Sequence, residues 1–146
     1  QQYLSRPAPL SLGQVQALPV PGSLEIGGHE IELHPADGHT KDGMALFFGW
    51  AGVLACGDSL SAVEPPASKK VGSSASAYRA TLRRLAPLVG RAEHVVPGHG
   101  PVLGRDRALE ILEEDLRYLD ELVPPPGRAG ETQLRNHERN LASLEE

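Results

Sequence analysis

Three short segments place a histidine or an aspartate directly after a glycine, and each follows an apolar run. They are Asp37-Gly38-His39-Thr40, Cys56-Gly57-Asp58-Ser59 and Pro97-Gly98-His99-Gly100. A glycine lets the backbone turn sharply and approach a bound ion closely, because no Cβ stands in the way. Imidazole and carboxylate are ligands that Zn²⁺ accepts, and one carboxylate can bridge two ions. The joint pattern therefore indicates a metal site that uses His39, Asp58 and His99.

Taken singly, each segment also fits an ordinary turn. A histidine in a loop is usually solvated or capping, and Gly-Asp after a strand is typical of a turn or a helix cap. Cys56 is expected to be a small buried core residue, and Ser59 lacks the Gly-x-Ser-x-Gly surroundings of a nucleophile. Tyr78 fits the apolar stripe of a helix and is predicted to be core. Four other histidines are expected to be structural or exposed: His29, His34, His94 and His137.

Short strands and two helices are predicted to hold these segments. Apolar alternation on both sides of Gly27-Gly28 indicates a hairpin, and the apolar runs on both sides of 49–52 indicate a second, buried hairpin. Ser73 or Ser74 is predicted to cap a helix that Gly90 stops near Val89. The remaining predicted elements are a short strand at 14–18, a strand at 94–96, a helix capped by Asp106 and ending at Pro124, and a helical tail over 130–145. This order predicts an α/β or α+β fold.

Composition excludes several classes of protein. The chain has 146 residues, enough for one domain, of which 40% are hydrophobic and 23% charged. No apolar run approaches the roughly 20 residues that span a bilayer, so no membrane contact is expected. A net charge of -5 argues against a nucleic-acid partner that binds by bulk charge. A single cysteine, Cys56, favours a reducing compartment and hence a cytoplasmic location.

The three motifs, in their order and spacing, resemble the C-terminal half of a metallo-β-lactamase-fold hydrolase of the glyoxalase II-like subgroup. They are His34-Pro-Ala-Asp-Gly-His-Thr40, Leu54-Ala-Cys-Gly-Asp-Ser59 and Val95-Val-Pro-Gly-His-Gly-Pro101, and the resemblance covers roughly residues 15–122. It implies the C-terminal half of an αββα sandwich, formed here by residues 1–123, with a helical tail at 124–146.

The resemblance also implies a site with two metals in the complete domain, usually zinc, although iron or manganese would suit the same ligands. His39 resembles the ligand of the first metal and His99 that of the second. Asp58 resembles the carboxylate that bridges both metals and is the expected catalytic residue. The implied reaction is attack of metal-activated hydroxide on an ester, thioester or lactone of a small molecule, with a phosphodiester as the alternative.

One motif of the family, His-x-His-x-Asp-His, is absent from these 146 residues. Three of the expected ligands are present and four are missing, so the chain alone is expected to be inactive. Its start in a proline-rich stretch at Gln1, without an initiator Met, leads us to expect a chain that lacks the N-terminal half of its domain. Such a chain is expected to pair with that half or with a second copy of itself. The alternative function is a metal-free binding or interaction module.

Overall fold

A computed structural model describes residues 13, 16–66, 74–121, 134, 135, 137, 138 and 142. Within these ranges the chain forms one six-stranded sheet, whose strands lie side by side in the order of the sequence. The strands are β1 Gly22–Ile26, β2 His29–Pro35, β3 Met44–Phe48, β4 Val53–Ala55, β5 His94–Val96 and β6 Leu103–Gly104.

The strand directions decide where the polar loops lie. All neighbouring strands are antiparallel except β4 and β5, which are parallel and pair Leu54 with Val95. Strands β2, β4 and β5 therefore run in the same direction, and the loops that follow them leave the sheet at the same edge. Those loops are the three glycine-containing segments of the sequence.

Both predicted hairpins form, but the second is fully buried on one face only, since burial alternates along β3 and β4. The first turns at Gly27 and Gly28, which have φ values of 61° and 81°, a region that favours glycine. The second turns through a short 3-10 helix, Gly49–Ala51, and pairs Phe47 with Leu54. Strand β5 was also predicted, whereas the two-residue strand β6 was not. No strand forms at 16–18, and the rest of the strand predicted at 14–18 lies outside the described residues.

Two helices follow β4 and β6. Helix α1, Ala75–Arg91, begins as predicted at Ser74, whose hydroxyl accepts a hydrogen bond from the Ala77 N–H at 3.3 Å. Its predicted end at Gly90 is wrong: the helix continues to Arg91, and the extended residue Ala92 closes it by donating its N–H to Leu88 and Val89. Gly90 does not adopt a positive φ, so it does not act as a left-handed stop.

Helix α2, Arg105–Glu121, begins one residue before the predicted cap. Asp106 therefore lies in its first turn, where a carboxylate still complements the positive end of the helix dipole. The predicted boundary at residues 123 and 124, the end of α2 at Pro124 and most of the predicted tail lie outside the described residues.

The core lies between the two helices and one face of the sheet. Phe47, Leu54 and Val95 from the sheet are at most 2% exposed and belong to one cluster with the buried side chains of the helices. The opposite face is apolar as well, because the registered pairs Leu24–Ile31 and Leu33–Leu46 point away from that cluster. The fold is thus the predicted mixed α+β class, with both described helices on one side. In the described part of the chain, neither helix is long and apolar enough to cross a membrane.

Candidate metal centre

The loops after β2, β4 and β5 bring His39, Asp58 and His99 together at one edge of the sheet. The Nε2 atom of His39 lies 3.0 Å from Oδ2 of Asp58. The Nε2 atom of His99 lies 3.5 Å from the other carboxylate oxygen, Oδ1. Two imidazoles thus flank opposite oxygens of one carboxylate, and all three residues singled out in the sequence meet at a common point.

Exposure rises across this group. The side chain of His39 is 12% exposed, that of Asp58 31% and that of His99 52%. His39 and Asp58 line a cleft of about 210 Å³ together with Thr40, Met44 and Ser59. The group is therefore fixed on the His39 side, and it opens to solvent on the His99 side.

Backbone hydrogen bonds join the loops of Asp58 and His99. The Cys56 N–H donates to the Val96 carbonyl at 3.1 Å, and the Gly98 N–H donates to the Gly57 carbonyl at 2.7 Å. The Ser61 hydroxyl then donates to the carbonyl of His99 itself at 3.0 Å. These bonds extend the parallel pairing of β4 and β5 beyond the strands and set the distance between the two ligand-type side chains.

Gly98 is close to the carboxylate of Asp58. A Cβ built at position 98 would overlap Oδ1 of Asp58 and lie 3.3 Å from the carbonyl carbon of Gly57. Any side chain there would have to push the carboxylate or the neighbouring backbone aside. The glycine of the third motif therefore allows close approach to Asp58, as glycine in such a segment was expected to do.

The loop that carries His39 is fixed by its own backbone and by helix α1. The Ala36 N–H donates to the Gly43 carbonyl at 2.8 Å, which closes the loop at its base. The Thr81 hydroxyl donates to the Asp37 carbonyl at 2.5 Å, and Arg84 forms an ion pair with the Asp37 carboxylate. A histidine in this loop is consequently held in place although it lies outside regular secondary structure.

Cys56 lies beneath the site as a packing residue. It is 1% exposed, belongs to the core cluster, and donates its thiol hydrogen to the Ser59 carbonyl at 3.1 Å. Burial raises the pKa of Cys56 to about 12, and the thiol is therefore neutral at physiological pH. Ser59 is 3% exposed and Leu60 fully buried, the latter with a positive φ of 60° that is strained for leucine. The segment around Asp58 is thus held in an unusual conformation by its packing.

Several other side chains stay apart from this group, as the sequence suggested. His29 stacks on Trp50 with a ring distance of 4.4 Å, and His34 lies 3.0 Å from the carboxylate of Glu32. One functional contact was missed in the sequence. Tyr78 is core, as predicted, but its hydroxyl also donates to the carbonyl of Asp58 at 2.9 Å. Helical spacing gives no signal for such a bond, because it joins residues 20 positions apart.

The donors at this edge fit part of a zinc site. With zinc–ligand distances near 2.0–2.1 Å, two ligand atoms of a tetrahedral ion lie about 3.3 Å apart. The two nitrogen–oxygen distances, 3.0 and 3.5 Å, lie on either side of that value. However, within the described ranges no group of three or more histidine, cysteine or carboxylate side chains is arranged to hold one ion. The chain offers one imidazole and one carboxylate oxygen to each of two positions, and a catalytic zinc needs at least three protein ligands.

The sequence matches no protein-family model and no curated protein. Solved structures, in contrast, resemble the chain clearly. A metallo-beta-lactamase superfamily protein from the archaeon Sulfolobus tokodaii has a TM-score of 0.64 and 25% identity over 93% of this chain and 54% of its own length. A metallo-beta-lactamase family protein from Thermus thermophilus has a TM-score of 0.58 and 25% identity over 72% of this chain and 36% of its own.

A third similar structure is the inverting sec-alkylsulfatase Pisa1 from a Pseudomonas species, with a TM-score of 0.61 and 15% identity. It covers 84% of this chain, which in turn spans 18% of the sulfatase. The chain thus spans about half, or less, of the structures that it resembles. Its fold is that of metallo-beta-lactamase superfamily proteins.

Proposed function

We propose that this chain is part of a metal-dependent hydrolase in which His39, Asp58 and His99 are metal ligands. The observation that carries the proposal is the meeting of two imidazoles on opposite oxygens of one carboxylate, at an edge where three parallel-running strands end. The likeness in fold to metallo-beta-lactamase superfamily structures supports the same interpretation.

Each residue has a distinct role in this proposal. His39 and His99 would each be a ligand of one metal ion, and Asp58 would be a ligand shared by both. When bound, zinc lowers the pKa of a coordinated water from its bulk value to about 7, which supplies a nucleophile at neutral pH. The half-buried carboxylate keeps the two positions at a fixed separation, and the more exposed side of His99 leaves room for solvent and substrate.

The proposed substrate is a small molecule with an ester, thioester or lactone bond. A phosphodiester is the less favoured alternative, because a net charge of -5 repels a phosphate backbone. Beside the site lies a second cleft of about 470 Å³, bordered by Leu18, Val20, Lys41 and Met44. It shares Gly43 and Met44 with the cleft of the candidate site. Its mixed apolar and charged border suits the part of a small substrate that does not react.

We also propose that the remaining ligands come from a complementary half of the same fold. Two observations support this: the described residues bring only one imidazole to each oxygen of Asp58, and the chain spans 54% of the Sulfolobus structure. The complementary half that we propose is the second sheet of the domain; a second copy of this chain is the alternative. The 146-residue chain alone is then inactive. Its size in solution, measured by light scattering with and without that half, tests the pairing, and a stable monomer that binds zinc tightly by itself would contradict it.

The substitution Asp58→Ala tests the metal site itself. In the natural full-length protein we expect it to abolish both zinc retention and hydrolysis, because it removes a ligand of both ions. The matched control is Asp120→Ala, which removes a carboxylate that is 61% exposed on α2 and paired with Arg79. The control should keep the zinc content of the wild-type protein. Stoichiometric zinc in Asp58→Ala, measured by elemental analysis, would contradict the bridging role. A wild-type protein that binds no metal would favour the interaction module instead.

A further inference from the structure

We infer that Tyr78, on the first turn of helix α1, is a positioning residue that fixes the loop of Asp58 relative to the loop of His39. This inference rests on the proposed function, since it concerns the same two ligand-type residues. Tyr78 itself lies outside the candidate site: its ring is in the core and is 3% exposed.

Tyr78 contacts the loop that carries Asp58. The Tyr78 hydroxyl donates to the main-chain carbonyl of Asp58 at 2.9 Å, so it holds the backbone and leaves both carboxylate oxygens free to face the histidines. The same hydroxyl also hydrogen-bonds the side chain of Ser59, so it contacts the Asp58 loop at two neighbouring residues. The next residues, Ser59 and Leu60, are buried and include the strained φ of 60°. The hydroxyl therefore bonds the backbone where this unusual conformation begins.

The same helix also contacts the loop that carries His39. Gly38, directly before His39, passes so close to Tyr78 that an added Cβ would lie 2.5 Å from the Tyr78 Cα. The Ser74 N–H donates to the Gly38 carbonyl at 3.0 Å, and the Thr81 hydroxyl donates to the Asp37 carbonyl at 2.5 Å. The first two turns of α1 therefore hydrogen-bond the backbone of the His39 loop and also that of the Asp58 loop. These are the two loops whose side chains meet at 3.0 Å.

A helix is a rigid spacer, so these bonds set the separation of two loops that are 19 residues apart in the sequence. Groups that orient metal ligands from behind typically change metal affinity 10- to 100-fold when removed. Loss of one hydroxyl from α1 should therefore weaken metal binding although no ligand is touched.

The decisive variant is Tyr78→Phe, which removes the hydroxyl and keeps the ring in the core. Tyr118→Phe is the matched control, because Tyr118 is also buried but its hydroxyl faces His137, at 3.2 Å. In the natural full-length protein we expect Tyr78→Phe to weaken Co²⁺ binding about tenfold in chelator competition and to shift the visible absorption of the bound Co²⁺. The control should change neither. An unchanged affinity and spectrum in Tyr78→Phe would overturn the inference, and so would equal losses in both variants.

A metal-free measurement separates this inference from the proposed function. Without metal, hydrogen exchange at the amides of Ser59 and Gly98 should be faster in Tyr78→Phe than in Tyr118→Phe, since both amides hold the Asp58 loop. If the wild-type protein binds no Co²⁺, the proposed function fails and exchange alone decides the positioning role. Equal exchange in the two variants would overturn it.

Thr81 provides a second test from the side of His39. Thr81→Val removes the hydroxyl that holds Asp37, whereas Thr81→Ser retains it. We expect Thr81→Val to weaken Co²⁺ binding and Thr81→Ser to restore most of the wild-type affinity. Failure of the serine variant to restore binding would show that Thr81 acts by packing alone and would remove the helix from this role.

Discussion

Histidines lie at both edges of the sheet, but in different surroundings. At the edge where β2, β4 and β5 end, two histidines meet one carboxylate, and their loops are bonded to each other and to α1. At the opposite edge, His29 stacks on Trp50, which is 60% exposed, and His94 is exposed at the start of β5. Both edges also use glycine turns. The difference lies in what surrounds the histidines.

Residue type and a preceding glycine are therefore not sufficient to bring ligand-type side chains together. The hairpins of the far edge close on themselves, and the Gly52 carbonyl also accepts the N–H groups of Glu93 and His94, which are 41 and 42 positions away. The loops of the site edge are held by bonds between residues 41 and 44 positions apart, such as Gly98 to Gly57 and Thr81 to Asp37. At the site edge these bonds join the loops that carry the three side chains to each other and to α1, whereas at the far edge they join β5 to the second hairpin.

Replacing one histidine at each edge should give the largest contrast. We expect His39→Ala to lower zinc affinity more than about a hundredfold, beyond the typical cost of losing a group that only orients a ligand. His29→Ala should leave zinc affinity unchanged, because that ring contacts Trp50. Competition with a zinc-binding dye measures both in the natural full-length protein. Similar affinities in the two variants would remove the distinction between the edges.

Replacing two glycines with alanine, one at the site and one on α1, should give a smaller difference in zinc retention. Gly98→Ala should lower zinc retention at least about tenfold, because the added methyl group displaces the Asp58 carboxylate. Gly90→Ala is the control: its position is helical, and no atom lies within 4 Å of the added Cβ. That variant should stabilise the protein by about 0.5–1 kcal/mol, the helix preference of alanine over glycine, with zinc unchanged. Thermal unfolding and zinc content test both, and full zinc in Gly98→Ala would refute the steric argument.

The smallest expected effect concerns pH. Glu32 accepts hydrogen bonds from both terminal nitrogens of Arg91, whose guanidinium lies 4.3 Å from the centre of the Phe47 ring. This bond, opposed by partial burial and aided by His34, lowers the pKa of Glu32 below 4.5. Because the pKa of Glu32 is lower in the folded state, the ionised carboxylate stabilises that state at any pH above the pKa of the unfolded chain. This contribution is lost as the pH falls through the pKa of the folded state.

Glu32→Gln removes this contribution. The melting temperature of the variant should therefore lie slightly below that of the wild type at about pH 7, and the gap should close towards about pH 3. Zinc content should be the same in both proteins, because Glu32 does not contact His39, Asp58 or His99 in the described structure. A gap that widens in acid would show that the sign of this shift is wrong.

The local parts of the fold could be predicted from the sequence. Gly27-Gly28 and the stretch 49–52 indicate hairpins because positive φ values and tight turns have strong residue preferences. Ser74 indicates the start of α1 for a similar reason. Gly90 was misleading because the end of α1 is set by the extended residue Ala92 before β5, and not by the first glycine on the way.

The ligand-type residues of the candidate site could be predicted from the sequence, but the residues that hold them in place could not. The motifs singled out His39, Asp58 and His99, because their residue types and spacing are specific together. Nothing local distinguishes Tyr78 from any other aromatic residue on a helix stripe, or Gly98 from any other turn glycine. Their importance arises from partners 20 and 40 positions away, which only the folded chain brings near.

The single parallel strand pair in the described sheet, β4 with β5, indicates where the chain can accept inserted residues. A parallel neighbour requires the chain to travel back to the starting edge before it re-enters the sheet, and here the stretch from Ser61 to Glu93 makes that return. Residues added to the return path between its anchored ends leave the spacing of positions 58 and 99 in space untouched. An insertion after Glu64 is therefore expected to leave the distance between Asp58 and His99 unchanged.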